Sequence, residues 1–100
     1  MGGLDHVQRM WKDDQASRAL GMDAVVIETD YAEVRMTVTD AMVNGHDIVH
    51  GGYIFTLADS AFALACNSRG ATTVAAGADI TFVAAARRGD EGDVLSLIHI

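Results

Sequence analysis

The segment Asn44–Asn67, NGHDIVHGGYIFTLADSAFALACN, joins a polar, glycine-containing turn to a stretch with helical periodicity. Within it, apolar side chains recur at three- and four-residue spacings, which places them on one face of a helix. These side chains are Ile54, Phe55, Ala58, Ala61, Phe62 and Ala65. Such a stripe packs against a sheet or another helix, so the segment predicts the central helix of the fold.

Asp59 is the single carboxylate of this helical stretch. It follows Phe55 by four residues and precedes Phe62 by three, so we expect it to border the apolar stripe and to be partly desolvated. A carboxylate in such a position needs a partner or a chemical use. We interpret Asp59 as a candidate catalytic residue. The alternative is a carboxylate that pairs with an arginine or stays on the helix surface.

The helix is entered through His50-Gly51-Gly52. Glycine lets the backbone approach a ligand closely, and the first N–H groups of a helix have no acceptor within it. Together with the positive end of the helix dipole, these amides can polarise a carbonyl oxygen or bind an anion. The pattern therefore predicts an oxyanion hole at Gly51 and Gly52.

The spacing between Gly51 and Asp59 bears on assembly. Eight residues at 1.5 Å rise per residue separate them by about 12 Å, so one carbonyl carbon cannot reach both groups on the same helix. If both act on one substrate, the carboxylate comes from a neighbouring copy. A two-fold axis beside the helix would then create two shared sites in a homo-oligomer.

Four short motifs carry a family resemblance: Asn44-Gly45-His46, His50-Gly51-Gly52, Leu57-Ala58-Asp59 and Ala61-Phe62. They closely resemble those of the hot dog-fold acyl-CoA thioesterases of the PaaI type, named for phenylacetate degradation. The resemblance extends from the N-terminus to about Gly89. It implies an α+β fold in which a curved antiparallel sheet wraps a long central helix. It also implies an active site shared between two subunits of a dimer or tetramer.

The resemblance also implies a chemistry, the hydrolysis of acyl-CoA thioesters with aromatic, phenylacetyl-like acyl groups. Asn44 would assist the Gly51 amide at the thioester carbonyl, although an Asn-Gly pair is also a common turn former. Asp59 would act as general base or as nucleophile, and the sequence leaves both routes open. A non-catalytic acyl-CoA-binding module and an enoyl-CoA hydratase or dehydratase remain as alternatives.

Other positions complete the predicted site. His50 is expected to hydrogen-bond around the loop and hold the Gly51 amide in place, and Gly52 to line the substrate. Arg87 and Arg88 suit CoA phosphates, the alternative being a solvated turn. His46 and His50 are spaced four apart, but no third ligand accompanies them, so we predict no metal. No cofactor is expected, since coenzyme A belongs to the substrate.

The composition narrows the function classes. The length of 100 residues suggests one domain, and a net charge of −7 argues against a nucleic-acid surface. Cys66 is the single cysteine, which excludes an internal disulfide and suggests a buried small side chain. There is no signal-peptide pattern and no apolar run of about 20 residues, so we expect a cytoplasmic protein without membrane contact.

The flanking elements are predicted from periodicity. Two short helices are expected at Leu4–Lys12, capped by Asp5, and at residues 16–20. A hairpin is expected from strands at Met22–Glu28 and Ala32–Thr39, with Val34, Met36 and Val38 on the dry face. A long strand is predicted at 72–86, and residues 90–100 supply at most one short strand. The hot dog domain is therefore expected to be incomplete after about Gly89, with its C-terminal strands missing.

Overall fold

A computed structural model describes residues 2–70 and 93–99. Within these residues the order of elements is two short helices, a hairpin, a 3₁₀ turn, a long helix and a strand. Their bounds are α1 (Gly3–Lys12), α2 (Gln15–Ala19), β1 (Met22–Glu28), β2 (Tyr31–Thr37), the 3₁₀ turn (Asp40–Met42), α3 (Gly51–Asn67) and β3 (Asp93–His99). The strand predicted at 72–86 and the pair Arg87 and Arg88 lie outside the described residues.

The predicted hairpin is confirmed. Strand β2 alternates as expected, with Ala32, Val34 and Met36 fully buried and Arg35 and Thr37 exposed. One face of the hairpin is therefore buried and the other is exposed to solvent, as is typical of a sheet that packs on a helix.

The described strands form a three-stranded antiparallel sheet in the order β1-β2-β3. Strand β3 pairs with β2, so residues 90–100 do contain one short strand, as expected. Along β1 the pairing shifts between Ala24 and Val26, which leaves Val25 as an extra residue in a β-bulge. Its side chain is 45% exposed.

Helix α3 packs against β2 and β3, and α1 and α2 pack on α3. The buried face of α3 differs from the predicted stripe. Ala61 and Ala65 are buried as expected, but Phe62 is 37% exposed and Phe55 is only half-buried. The helix instead buries the face that carries Leu57, Ser60, Ala61, Leu64 and Ala65. At 100° per residue, this face is turned by roughly 90° from the predicted one.

The core lies between this face of α3, the sheet and the short helices. Its buried apolar residues are Val7, Met22, Ala32, Val34, Met36, Met42, Val49, Leu57, Ala61, Leu64 and Ala65. Trp11 and Leu20 pack against this cluster from α1 and the end of α2. The two N-terminal helices thus pack on the central helix.

Capping in the N-terminal helices differs from the prediction. Helix α1 begins after Gly2, whose position provides no side-chain cap, and Asp5 lies in the first turn instead. The capping carboxylate belongs to α2, where Asp14 accepts a hydrogen bond from the Ser17 N–H. A side chain caps a helix only from the N-cap position, where it can accept a hydrogen bond from an N–H of the first turn. Asp5 lies inside the first turn and therefore does not cap α1.

A buried chain of hydrogen bonds ties α2 to the middle of α3. The Ser17 hydroxyl donates to the Asp14 carboxylate at 2.6 Å and lies 2.7 Å from the Ser60 hydroxyl. Since the Ser17 proton is given to the carboxylate, Ser60 must donate to Ser17. The polar Ser60 side chain is therefore satisfied inside the core, beside the candidate catalytic residue.

The C-terminal end of α3 is fastened to the hairpin turn. The Ser68 hydroxyl accepts from the Asp30 N–H at 2.7 Å and donates to the Ala65 carbonyl at 2.7 Å. Arg69 forms a bidentate pair with the Asp30 carboxylate, at 2.9 and 2.7 Å. Asp30 adopts a left-handed backbone conformation, with φ of 62°, and this turns its N–H toward the helix end.

Candidate functional site

The loop before α3 is a small hydrogen-bonded turn. A bridge joins Val43 to Val49, and the Asn44 N–H donates to the Ile48 carbonyl at 2.8 Å. The His50 N–H donates to the Met42 carbonyl at 2.7 Å. These bonds fix the direction in which the chain enters the helix, and so they set the position of the first helical amides.

Asn44 forms the predicted turn, and the turn orients its side chain. Its Oδ1 accepts from the backbone N–H of His46 at 2.9 Å and of Ile48 at 3.3 Å. The side chain is exposed, with its oxygen engaged by the loop. The Nδ2 group of Asn44 is therefore directed away from the loop backbone. Its N–H groups can donate hydrogen bonds to a carbonyl oxygen.

His50 is the N-cap residue of α3. Its Nδ1 accepts from the Gly52 N–H at 3.2 Å, whereas the sequence pattern predicted a hold on the Gly51 amide. The Tyr53 N–H donates to the His50 carbonyl at 2.9 Å. The Gly51 N–H, by contrast, has no hydrogen bond within the described part of the chain. Of the two predicted oxyanion donors, Gly52 is thus engaged by the His50 cap, and only Gly51 has an N–H without a bond among the described residues.

Asp59 is exposed, so the expected partial desolvation is wrong for the isolated chain. It lies about 170° around the helix from the middle of the buried face. Water surrounds the carboxylate in a single copy, and only a substrate or a second molecule placed over this face would remove that water.

The structure places His50, Gly51 and Gly52 at the beginning of α3, and Asn44 in the hydrogen-bonded turn that precedes it. It does not bring Asp59 to them, because Asp59 is two turns further along the helix, at about 12 Å by helical rise. Within residues 2–70 and 93–99 there is no cluster of three or more metal-binding side chains. The prediction of no metal stays a prediction.

Cys66 follows Asp59 by two turns and is half-buried. Burial raises the pKa of its thiol, which keeps it protonated and makes it a poor nucleophile. Its environment thus fits the packing role expected from its place in an apolar helix.

The sequence analysis did not predict two features of the site. Ser60 was not singled out, although a serine inside an apolar helix signals a buried hydrogen bond or a bend. Phe55 and Phe62 were assigned to the core, yet both lie on the same side of α3 as Asp59. Their spacing of four before and three after Asp59 was the signal that they share its face.

No helix within residues 2–70 and 93–99 combines the length and the apolar character needed to cross a bilayer.

Known proteins resemble this chain in sequence and in structure. Residues 46–94 match the model of the thioesterase superfamily. The chain is 46% identical over 87 residues to the acyl-coenzyme A thioesterase PaaI of Escherichia coli, covering 87% of this chain and 60% of that protein. It is 39% identical over 82 residues to a putative esterase of Archaeoglobus fulgidus, covering 82% of this chain and 53% of that protein. The chain thus spans little more than half the length of these relatives.

The solved structure of the E. coli PaaI protein, from the phenylacetic acid degradation operon, superposes with a TM-score of 0.88. That match has 39% sequence identity and covers 95% of this chain and 67% of the other. Sequence and structure agree on one family. The chain belongs to the thioesterase superfamily and has the hot dog fold of its PaaI-type members.

Proposed function

We propose that the protein hydrolyses acyl-CoA thioesters at sites shared between two copies. The observation that carries this proposal is the Gly51 N–H, left without a partner in the described chain at the positive end of α3. The amide of Asn44, whose oxygen is engaged within the preceding turn, would provide a second donor. Two donors directed at one oxygen are the arrangement that stabilises the charge developing on a thioester carbonyl.

Asp59 supplies the second half of the chemistry, from the other copy. Its distance of about 12 Å along the helix prevents it from acting beside its own Gly51. Its exposure in a single copy leaves it accessible to a neighbour. A homodimer, or a tetramer built from two dimers, would bury it against the substrate.

Two routes fit these residues. As a general base, Asp59 takes a proton from water, the hydroxide adds to the carbonyl carbon, and the C–S bond breaks to release the CoA thiol. As a nucleophile, its carboxylate oxygen adds to the carbonyl carbon, and the C–S bond then breaks, which releases CoA thiolate and leaves a mixed anhydride. Water hydrolyses the anhydride to the free acid and restores the carboxylate, and the proton that water gives up goes to the thiolate. In both routes the Gly51 and Asn44 donors hold the oxyanion.

The substrate class rests on similarity. The E. coli relative PaaI is an acyl-coenzyme A thioesterase, and its solved structure is described as that of a protein from the phenylacetic acid degradation operon. We therefore propose phenylacetyl-CoA or a similar aryl thioester as the substrate. Arg87 and Arg88 would meet the CoA phosphates, an assignment that rests on sequence alone. The proposed setting is the cytoplasm.

The test is thiol release from phenylacetyl-CoA by the chain and by Asp59→Asn. General-base or nucleophilic catalysis predicts a fall in kcat of at least about a hundredfold. Asp23→Asn, which neutralises an exposed carboxylate on β1, is the matched control and should keep full activity. Full activity of Asp59→Asn would remove Asp59 from the mechanism. Tight binding of the thioester without turnover by the unsubstituted chain would favour the binding module.

A mixing experiment tests the shared site directly. Gly51→Pro removes the donor and Asp59→Asn removes the carboxylate, so each variant alone should be inactive. Random pairing of the two in a dimer gives one intact site in each mixed dimer, or about a quarter of the original activity. No recovery after denaturation and joint refolding would place both groups within one copy. If one turnover in heavy-oxygen water labels Asp59, the carboxylate is the nucleophile.

A further inference from the structure

The side of α3 that faces away from the sheet carries an unusual group of side chains, which we call the outer face. It consists of Phe55, Asp59, Phe62 and Cys66, which fall within an arc of about 60°. Phe62 is 37% exposed, whereas Leu57 and Leu64 on the opposite side are at most 1% exposed. Two aromatic rings thus lie outside the core, one before and one after the carboxylate.

The spacing brings both rings close to the carboxylate. Residues four before and three after a helical position are its surface neighbours, with Cβ atoms about 5–6 Å apart. Aromatic rings pair at centroid distances of about 4.5–7 Å. A thioester carbon within reach of Asp59 therefore has both rings within reach of its acyl substituent.

We propose that Phe55 and Phe62 form the acyl-binding wall of the site and set a preference for aromatic over small aliphatic acyl groups. This inference rests on the proposed thioesterase function. Phe62 carries the larger share, because its ring is the more exposed of the two and so has more surface to bury against a substrate.

Packing between two copies is the competing explanation for exposed rings on this face. In that case Phe62 would hold the assembly together and would affect every substrate equally. The two explanations differ in their measurable consequences. If Phe62 lines an acyl-binding wall, its substitution changes the ratio of kcat/KM for two thioesters. If Phe62 is an assembly contact, its substitution changes the molecular mass of the assembly.

The experiment compares kcat/KM for phenylacetyl-CoA and acetyl-CoA in Phe62→Ala, Phe62→Leu and the unsubstituted chain. We expect Phe62→Ala to lower the phenylacetyl-CoA value about tenfold and the acetyl-CoA value less than about threefold. Phe62→Leu, which keeps apolar volume without the ring, should fall between. Light scattering should show an unchanged mass. Leu4→Ala, which alters an equally exposed apolar residue on α1, is the control and should leave both values unchanged.

The possible results distinguish failure of the acyl-wall assignment from failure of the proposed thioesterase function. Equal losses for both thioesters, or a lower mass in both Phe62 variants, would overturn the acyl-wall assignment and leave thioester hydrolysis intact. A lack of turnover of either thioester by the folded, unsubstituted chain would overturn the proposed function and this inference with it.

Discussion

The two ends of α3 contrast in how their backbone groups are satisfied. At the C-terminal end, Ser68 bonds both a helix carbonyl and the hairpin turn, and Arg69 pairs with Asp30. At the N-terminal end, His50 takes up the Gly52 N–H, and the Gly51 N–H has no bond within the described residues. The C-terminal end of α3 is thus hydrogen-bonded to the rest of the fold, whereas the first N–H of its N-terminal end has no bond within the described residues.

This difference shows how one helix serves two purposes. The bonds at the C-terminal end join elements far apart in sequence, so they stabilise the fold. Under the proposed function, the Gly51 N–H at the N-terminal end would stabilise a developing oxyanion, because it has no bond within the described residues and its position is fixed by the helix. Substitutions at the two ends should therefore separate catalysis from stability.

The largest effect is expected from Gly51→Pro. Proline removes the N–H, fits the first position of a helix, and requires an extended residue before it. His50 already has that conformation, with φ of −60° and ψ of 133°. Loss of one oxyanion donor should lower kcat by about 10²- to 10³-fold, while circular dichroism shows unchanged helix content.

Gly51→Ala is the companion to that variant, because it keeps the N–H. Its kcat should exceed that of Gly51→Pro by at least about tenfold. If the two variants were equally impaired, space around Gly51 would matter and its donor would not.

At the closed end, Ser68→Ala should affect stability and leave catalysis alone. The change removes the hydroxyl that accepts from the Asp30 N–H, which costs about 1–3 kcal/mol in the free energy of unfolding, whereas the Ala65 carbonyl keeps its bond from the backbone N–H of residue 68. Urea denaturation measures this loss. Thr29→Ala removes an exposed hydroxyl from the same turn and should change stability by less than about 0.5 kcal/mol. Similar losses in the two variants would contradict the role given to Ser68.

The smallest effect is expected from Arg69→Ala. The bond to Asp30 raises the pKa of the Arg69 guanidinium, so the pair is charged throughout the neutral range. Its arginine side chain is 70% exposed, and solvent screens such a pair strongly. We expect Tm to fall by no more than about 2 °C and the difference to shrink in 1 M salt. A fall as large as that of Ser68→Ala would show that the ion pair, and not the hydroxyl, holds this junction.

Local signals predicted much of the fold. Strict alternation located β2, because one face of a half-buried strand must be apolar. Glycine and the polar turn marked the beginning of α3 at Gly51. These features depend on residues near one another in sequence, which periodicity captures.

Periodicity alone could not predict which face of α3 is buried. Two overlapping faces of the helix are apolar, one with Phe55 and Phe62 and the other with Leu57 and Leu64. What decides between them is tertiary: Ser60 lies on the buried face because Ser17, 43 residues away, receives its hydrogen bond. The exposure of Asp59 was misjudged for the same reason, since it follows from which face is buried.

The bulge at Val25 bears on the solubility of the chain. Among the described strands, β1 pairs on one side only, and an open strand edge is a template for aggregation. The extra residue interrupts the regular row of N–H and C=O groups, and the exposed charges of Asp23 and Glu28 lie at either end of the same strand. Another sheet cannot add to this edge in continuous register. Growth into fibrils is therefore discouraged at β1 by backbone geometry as well as by charge.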